Sequence, residues 1–115
     1  MKVQLQGQAL RLRLDEAELA SLLAGQDVGS QTRLLPGAAF GMQVRLTAEM
    51  EPALVGAHGQ FSFHLPRSLL EPYVARLPCR EGLHVQLPAS GEDRLDVEFE
   101  VDVRDSVRSR GPHKR

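Results

Sequence analysis

Aromatic residues and cysteine are scarce in this 115-residue chain, and each shortage excludes a class of structure or function. Tryptophan is absent, tyrosine occurs once and phenylalanine four times, so the stacking platforms that bind single-stranded nucleic acids are missing. The single cysteine, Cys79, excludes an intrachain disulfide and a four-cysteine zinc site. Apolar runs are too short for a signal peptide or a membrane span, and we therefore expect a cytoplasmic protein with no membrane partner.

Length and charge distribution predict one domain followed by a basic tail. A chain with 42% hydrophobic and 25% charged residues is typical of a globular protein, and this length suffices for one core but not for two. Residues 1–103 hold 9 basic and 14 acidic residues, a formal balance of −5, whereas residues 104–115 hold 5 and 1, a balance of +4. We expect a single α+β domain over 1–103 and a disordered tail over 104–115.

Alternation of apolar and polar residues predicts several strands, because a sheet with one buried face needs an apolar residue at every second position. The apolar positions of the first run are Val3 and Leu5, continuing past Gly7 into Leu10, Leu12 and Leu14. Those of the other runs are Phe40, Met42, Val44 and Leu46; Phe61, Phe63 and Leu65; Leu83, Val85 and Leu87; and Leu95, Val97, Phe99, Val101 and Val103. Residues 32–35 are a weaker strand candidate, and Leu54–Val55 is interpreted as the opening of the strand through Phe61.

Two segments have helical spacing instead. In residues 15–24 apolar residues recur at steps of three and four, with Asp15 as the N-cap and Gly25 as the stop signal. Residues 66–77 have a similar pattern between Pro66 and Pro78. Pro72 lies inside this second helix, where it removes a backbone hydrogen bond unless it falls in the first turn.

The two halves of the domain, about 1–50 and 51–103, share one order of elements: strand, helix, strand, strand. A shift of 51 residues superposes the apolar positions of the first strand and helix, and a shift of 55 superposes those of the last strand. We therefore predict a strand-rich α+β fold of two βαββ units with two short helices. The units form either one β-sandwich or a swapped-hairpin-like barrel, and an internal duplication is an open alternative.

The segment GQFSFHLPRSLLEPYVARLPCREGLHVQLP resembles the G-x-x-x-I-P, short helix, E-G-d-x-V-x-V run of the AbrB and MazE type swapped-hairpin proteins, which are bacterial transcription regulators and antitoxins. The resemblance covers about 45 residues, and its matching positions are Gly59, Leu65, Pro66, Leu70, Glu81, Gly82, Val85 and Leu87. It implies an interleaved pair of units, for which a tandem duplication would supply both halves. It also implies phosphate contacts by basic residues near the N-terminal strand, here Lys2, Arg11 and Arg13, with Arg67, Arg76 and Arg80 in the second half.

The opening KVQLQGQALRLRLDEAELASLLAGQ is similar to that pattern and, more closely, to small uncharacterised bacterial proteins whose start reads K-I-R-G-N-S-I-R-L-R-L. This second resemblance covers the first 35 residues or so, and Gly7, Leu10, Arg11, Leu12, Arg13 and Leu14 carry it. That family has no assigned activity, so the resemblance implies no site.

Four carboxylates alternate along the last predicted strand, at Asp96, Glu98, Glu100 and Asp102. Successive spacings of about 7 Å keep such a row from converging on one cation. We interpret the row as a solvated face whose charges are offset by basic neighbours, and the candidates are Arg11, Arg13, Arg33 and Arg45.

His58, His64 and His84, together with Cys79, are the weak candidates for a metal site. Neither H-x5-H nor C-x4-H is a common zinc spacing, so no metal or other cofactor is predicted. No G-x-S-x-G motif and no phosphate-binding glycine run is present. We therefore assign no catalytic residue and expect a protein that is not an enzyme.

The function predicted first is that of a small non-enzymatic bacterial module that binds a protein partner or another copy of itself. A DNA-binding regulator or antitoxin is the alternative, disfavoured by the acidic balance of residues 1–103, because duplex binding depends on phosphate neutralisation. A small metal-dependent hydrolase that uses the three histidines is the second alternative.

Overall fold

A computed structural model describes residues 1–103 of the chain. The elements in chain order are β1 (Lys2–Gln6), β2 (Ala9–Asp15), α1 (Glu16–Leu23), β3 (Val28–Leu35), β4 (Ala38–Thr47), β5 (Ala53–Ala57), β6 (Gln60–Pro66), α2 (Arg67–Ala75), β7 (Leu83–Pro88) and β8 (Arg94–Asp102). The strand-rich α+β class and the two short helices are confirmed. Neither helix is long and apolar enough to cross a membrane, and the predicted disordered tail over 104–115 lies outside the described residues.

The strands form two four-stranded sheets, and each sheet takes one hairpin from each half of the chain. Sheet A has the order β1-β2-β8-β7, and sheet B has the order β3-β4-β6-β5. Strands within a hairpin are antiparallel, whereas the central pairs β2–β8 and β4–β6 are parallel. Both sheets are open at two edges. The strands of residues 1–103 therefore do not close, and the prediction of a barrel is wrong.

Each half has the order ββαββ rather than βαββ, because the chain reverses where a continuous strand was predicted. Between β5 and β6 it turns at His58 and Gly59, whose φ angles of 55° and 79° are both left-handed. A Cβ atom at Gly59 would lie 2.5 Å from the carbonyl oxygen of Ala39, so this turn requires glycine. The strand predicted from Leu54 through Phe61 is consequently a hairpin.

The central strand pairs of the two sheets have equivalent registers. A shift of 51 residues carries β2 of sheet A onto β6 of sheet B, and a shift of 55 residues carries β4 of sheet B onto β8 of sheet A. Paired residues in one sheet therefore correspond to paired residues in the other. The pairs in question are Leu10–Val97 and Leu12–Phe99 in sheet A, and Phe61–Met42 and Phe63–Val44 in sheet B. The two sheets are thus alike in strand order and in pairing.

One hydrophobic core is formed by buried side chains of both sheets and both helices. Leu12 and Phe63 are 0% and 1% exposed, which confirms the predicted strand phase. The predicted N-cap of α1 is confirmed too: the backbone N–H of Glu18 donates to the Asp15 carboxylate at 2.7 Å, and the Asp15 N–H donates to the Glu18 side chain at 3.0 Å.

Candidate functional site

The outer face of sheet A, turned away from the core, carries most of the charged side chains singled out from the sequence. Because β2 lies parallel to β8, Arg11 is in register with Glu98 and Arg13 with Glu100. Side chains at these positions point outward, since they alternate with the buried leucines and valines. The parallel pairing therefore places a basic row directly beside the carboxylate row.

Glu100 is the centre of this charge network. Its carboxylate accepts a hydrogen bond from Arg13 Nε at 2.7 Å, and Arg11 Nη2 lies 3.0 Å from its Oε1. Burial alone raises the pKa of Glu100, which is only 8% exposed, but the hydrogen bonds from Arg13 and Arg11 outweigh burial and place the pKa below its ordinary value. The hydrogen bond to Glu100 likewise raises the pKa of Arg13.

The expectation that basic neighbours offset the carboxylate row is confirmed for Glu98 and Glu100. The expectation of a solvated row is wrong for Glu100, which is buried between the two arginines. Arg11 Nε lies 3.6 Å from Glu98 Oε1, and His84 Nε2 lies 3.7 Å from Glu98 Oε2. Asp96 instead accepts a hydrogen bond from the Gln86 amide at 2.8 Å.

Arg45, the other candidate for offsetting the row, lies in sheet B. It makes a bidentate pair with Asp27 there, with Nη2–Oδ2 at 2.8 Å, and that hydrogen bond lowers the pKa of Asp27. Arg33 lies on the same sheet, on β3. Both arginines therefore lie in sheet B, whereas the carboxylate row lies on β8 of sheet A.

The structure brings together the three predicted phosphate contacts, Lys2, Arg11 and Arg13, which with Gln4 line a cleft of about 80 Å³. Two of the three guanidinium and ammonium groups are already engaged, because Arg11 and Arg13 face carboxylates. A phosphate in this cleft would have to compete with Glu100. The basic residues predicted from the second half lie elsewhere, on and after α2: Arg67 pairs with Glu71 at 3.6 Å, and the Arg76 guanidinium lies over the Tyr73 ring.

The three histidines are separated by the fold. His58 is in the β5–β6 turn, His64 is on β6 of sheet B, and His84 is on β7 of sheet A. Within residues 1–103 no three histidine, cysteine or acidic side chains converge as metal ligands. The Cys79 thiol donates to the carbonyl of Glu81 at 3.3 Å, so it too is engaged locally.

Each sheet has a shallow groove at the same place on its outer face. The groove on sheet A measures about 520 Å³ and is lined by charged and amide side chains, including Arg11, His84 and Glu98. The groove on sheet B measures about 440 Å³ and is lined by residues at the equivalent positions, here glycines, glutamines and Ser62. Equivalent positions thus carry a charged surface in one sheet and a neutral one in the other.

The β3–β4 hairpin projects beyond the rest of sheet B. Strand β4 begins at Ala38, but its pairing with β6 begins only at Gly41. The end of this hairpin, which we call the hairpin tip, consists of Leu34, Leu35, Pro36 and Gly37. Leu34 and Leu35 are 63% and 64% exposed, and the tip borders a cavity of about 810 Å³ that reaches the β5–β6 turn.

The sequence interpretation missed this surface, because it treated residues 32–35 only as a weaker strand candidate. A signal was present: two adjacent leucines directly before Pro-Gly break the alternation, so at least one of them cannot point into the core.

No family model, no curated protein and no solved structure matches the chain. The side-chain geometry described above is therefore the basis for assigning a function.

Proposed function

We propose that this chain is a non-enzymatic interaction module that binds a protein partner or another copy of itself through the hairpin tip. The proposal rests on two neighbouring leucines, Leu34 and Leu35, which are exposed at the end of a hairpin. Within residues 1–103 no other strand pairs with this end of the hairpin, because the pairing of β4 with β6 begins only at Gly41. Isolated exposed apolar residues are ordinary, but a contiguous apolar patch is typical of an interface.

The energetics of this surface favour a partner. Complete burial of a leucine contributes roughly 1.5 to 3 kcal/mol, and each of the two leucine residues is still about two-thirds exposed. Covering both leucines would then contribute roughly 2 to 4 kcal/mol to binding. The tip is held at a defined position, because the Gly41 N–H donates to the carbonyl of Gly59 at 2.8 Å at its base. A preformed surface of this kind loses little entropy on binding.

The proposal is tested by capture from cell extract with three tagged full-length chains. They are the wild type, a Leu34→Ser/Leu35→Ser variant, and a control with Leu5→Ser/Met50→Ser, which replaces two apolar residues that are 60% and 82% exposed elsewhere. We expect a set of proteins, or the untagged chain itself, that the wild type and the control retain and the tip variant loses. Equal retention by all three chains would show that the tip is not the binding surface.

We also propose that the two halves are copies of one ββαββ unit, as the swapped-hairpin resemblance implies. Support comes from the exchange of hairpins between the halves and from the equivalent registers of the central pairs. If the proposal is correct, residues 1–50 and 51–103 expressed together as separate chains assemble into a complex with the far-ultraviolet circular dichroism of the intact domain. Two chains that remain unfolded when mixed would count against two self-contained units.

A DNA-binding regulator is the second candidate, because the exchanged hairpins are what the swapped-hairpin resemblance implies and because Lys2, Arg11 and Arg13 share one cleft. The ion pairs of Arg11 and Arg13 with Glu100 weaken this candidate. The acidic balance of the domain weakens it further. We therefore rank it below the interaction module.

A further inference from the structure

The four edge strands differ in how well they are protected against pairing with another strand. Natural edges are blunted by lysine, proline, bulges or short length. Strand β1 carries Lys2, β7 ends in Pro88, and β5 has only 5 residues. Strand β3 is 8 residues long and contains neither lysine nor proline. Its register irregularity lies between Arg33 and Leu35, towards the tip, so the stretch before Arg33 presents a regular edge.

The β3 edge is self-complementary in charge. Asp27 lies three residues before Ser30, and Arg33 lies three residues after it. Asp27 directly precedes β3. An antiparallel pair of two β3 strands centred on Ser30, continued by one residue at the start of each strand, would therefore set Asp27 of each copy directly opposite Arg33 of the other. Opposed residues in an antiparallel pair point to the same face and have Cβ atoms about 5 Å apart.

The side chains are placed for this contact. Asp27 projects from the outer face of sheet B, since it binds Arg45 there, and Arg33 belongs to the same face because it lies an even number of residues away. Both residues are exposed. Within residues 1–103 no acidic side chain forms an ion pair with Arg33. Moving the centre of pairing to Gln31 would place Arg33 opposite Gly29 and remove both ion pairs.

We infer that two copies of this chain associate through antiparallel pairing of their β3 strands about Ser30, which joins the two B sheets into one eight-stranded sheet. This inference goes beyond the proposed function, because it assigns a second surface, the β3 edge, and names a second copy of the chain as the partner there. The unpaired backbone groups of β3 supply the hydrogen bonds, and the two Asp27–Arg33 pairs select the register. A foreign peptide can supply backbone bonds, but only one with an acidic and a basic residue six positions apart supplies both ion pairs.

The test is sedimentation velocity of the full-length chain over a concentration series, with Arg33→Asp and Asp27→Lys variants alone and mixed. Each variant alone places like charges opposite each other twice, so we expect self-association at least about tenfold weaker than that of the wild type. An equimolar mixture restores opposite charges at both positions, and we expect it to dimerise as the wild type does. Lys2→Asp, a charge reversal on the edge strand β1, is the matched control and should leave self-association unchanged.

The mixing step separates the inference from a folding defect, because two misfolded variants would not restore each other. A wild type that stays monomeric at the highest concentration overturns the inference, as does a wild-type dimer that either variant leaves intact. Variants that stay monomeric when mixed also overturn it. If any of these results occurs while the hairpin tip variant still loses captured proteins, the interaction module stands and its partner is a different protein.

Discussion

Removal of the hydroxyl of Tyr73 is predicted to destabilise the domain although the aromatic ring remains. Tyr73, on α2, is 1% exposed, and its hydroxyl accepts a hydrogen bond from the backbone N–H of Val101 at 3.0 Å. Strand β7 begins at Leu83, which pairs with Phe99, so β7 does not reach Val101. The N–H of Val101 therefore has no partner on β7, and the Tyr73 hydroxyl accepts its hydrogen bond instead.

The size of the effect follows from the loss of a partner for a buried donor. Tyr73→Phe keeps the edge-to-face contact with Phe99, at 6.2 Å between ring centroids, and leaves the Val101 N–H unsatisfied. An unsatisfied buried backbone group costs about 1 to 3 kcal/mol. With a typical dependence of about 1 to 3 kcal/mol per molar urea, the unfolding midpoint should fall by roughly 1 M.

Two measurements check this reasoning. Urea unfolding followed by circular dichroism gives the change in midpoint, and amide hydrogen exchange reports the Val101 N–H directly. We expect faster exchange at Val101 in the variant and little change at Leu12, on the neighbouring strand. A variant with the wild-type midpoint and a protected Val101 amide would refute the role assigned to the hydroxyl.

Three further predictions concern the core, the charge network and DNA. Leu12→Ala and Phe63→Ala should each lower the free energy of unfolding by about 2 to 5 kcal/mol, and an unchanged urea midpoint in either would contradict the strand phase. The pKa of Glu100 is lower in the folded state, so its contribution is complete above the ordinary carboxyl pKa and is lost as pH falls through the folded value. Between pH 7 and 3, Glu100→Gln should therefore show a smaller acid-induced loss of stability than the wild type, and parallel curves would refute the linkage. A chain truncated after Val103 should give no sequence-selective mobility shift with duplex DNA at about physiological salt, whereas a selective shift abolished by Arg13→Ala would promote the regulator.

The phase of the strands and the start of the first helix could be predicted from sequence because both are local. Alternation placed Leu12 and Phe63 in the core, and both are buried. Asp15 and Glu18 have the three-residue spacing of a capping box, and the structure contains both of its hydrogen bonds.

The β5–β6 hairpin could not be predicted, because its turn carries a weak local signal. His58 has a left-handed φ of 55°, a conformation that glycine adopts far more readily than any residue with a side chain. Gly59 was visible in the sequence, but its need for glycine comes from the carbonyl of Ala39 on another strand.

The candidate sites depended on tertiary structure in the same way. From the sequence, four arginines were equally good candidates for counterions of the carboxylate row. In the structure, the parallel pairing of β2 and β8 places Arg11 and Arg13 beside the row, where both form ion pairs with Glu100. Arg45 was assigned to Asp27 because both lie on sheet B. The three histidines are separated because His58 lies in a turn, whereas His64 and His84 lie on strands of different sheets.

By itself, the sequence determined which residues face the core and where a helix begins, since both follow from the periodicity of the backbone and from contacts a few residues apart. Only the tertiary structure decided that each sheet takes its hairpins from opposite halves, that the sheets stay open, and that β3 is an edge strand of sheet B. The reason is physical: strand neighbours far apart in the chain are selected by the shared burial of whole faces, which no local pattern encodes.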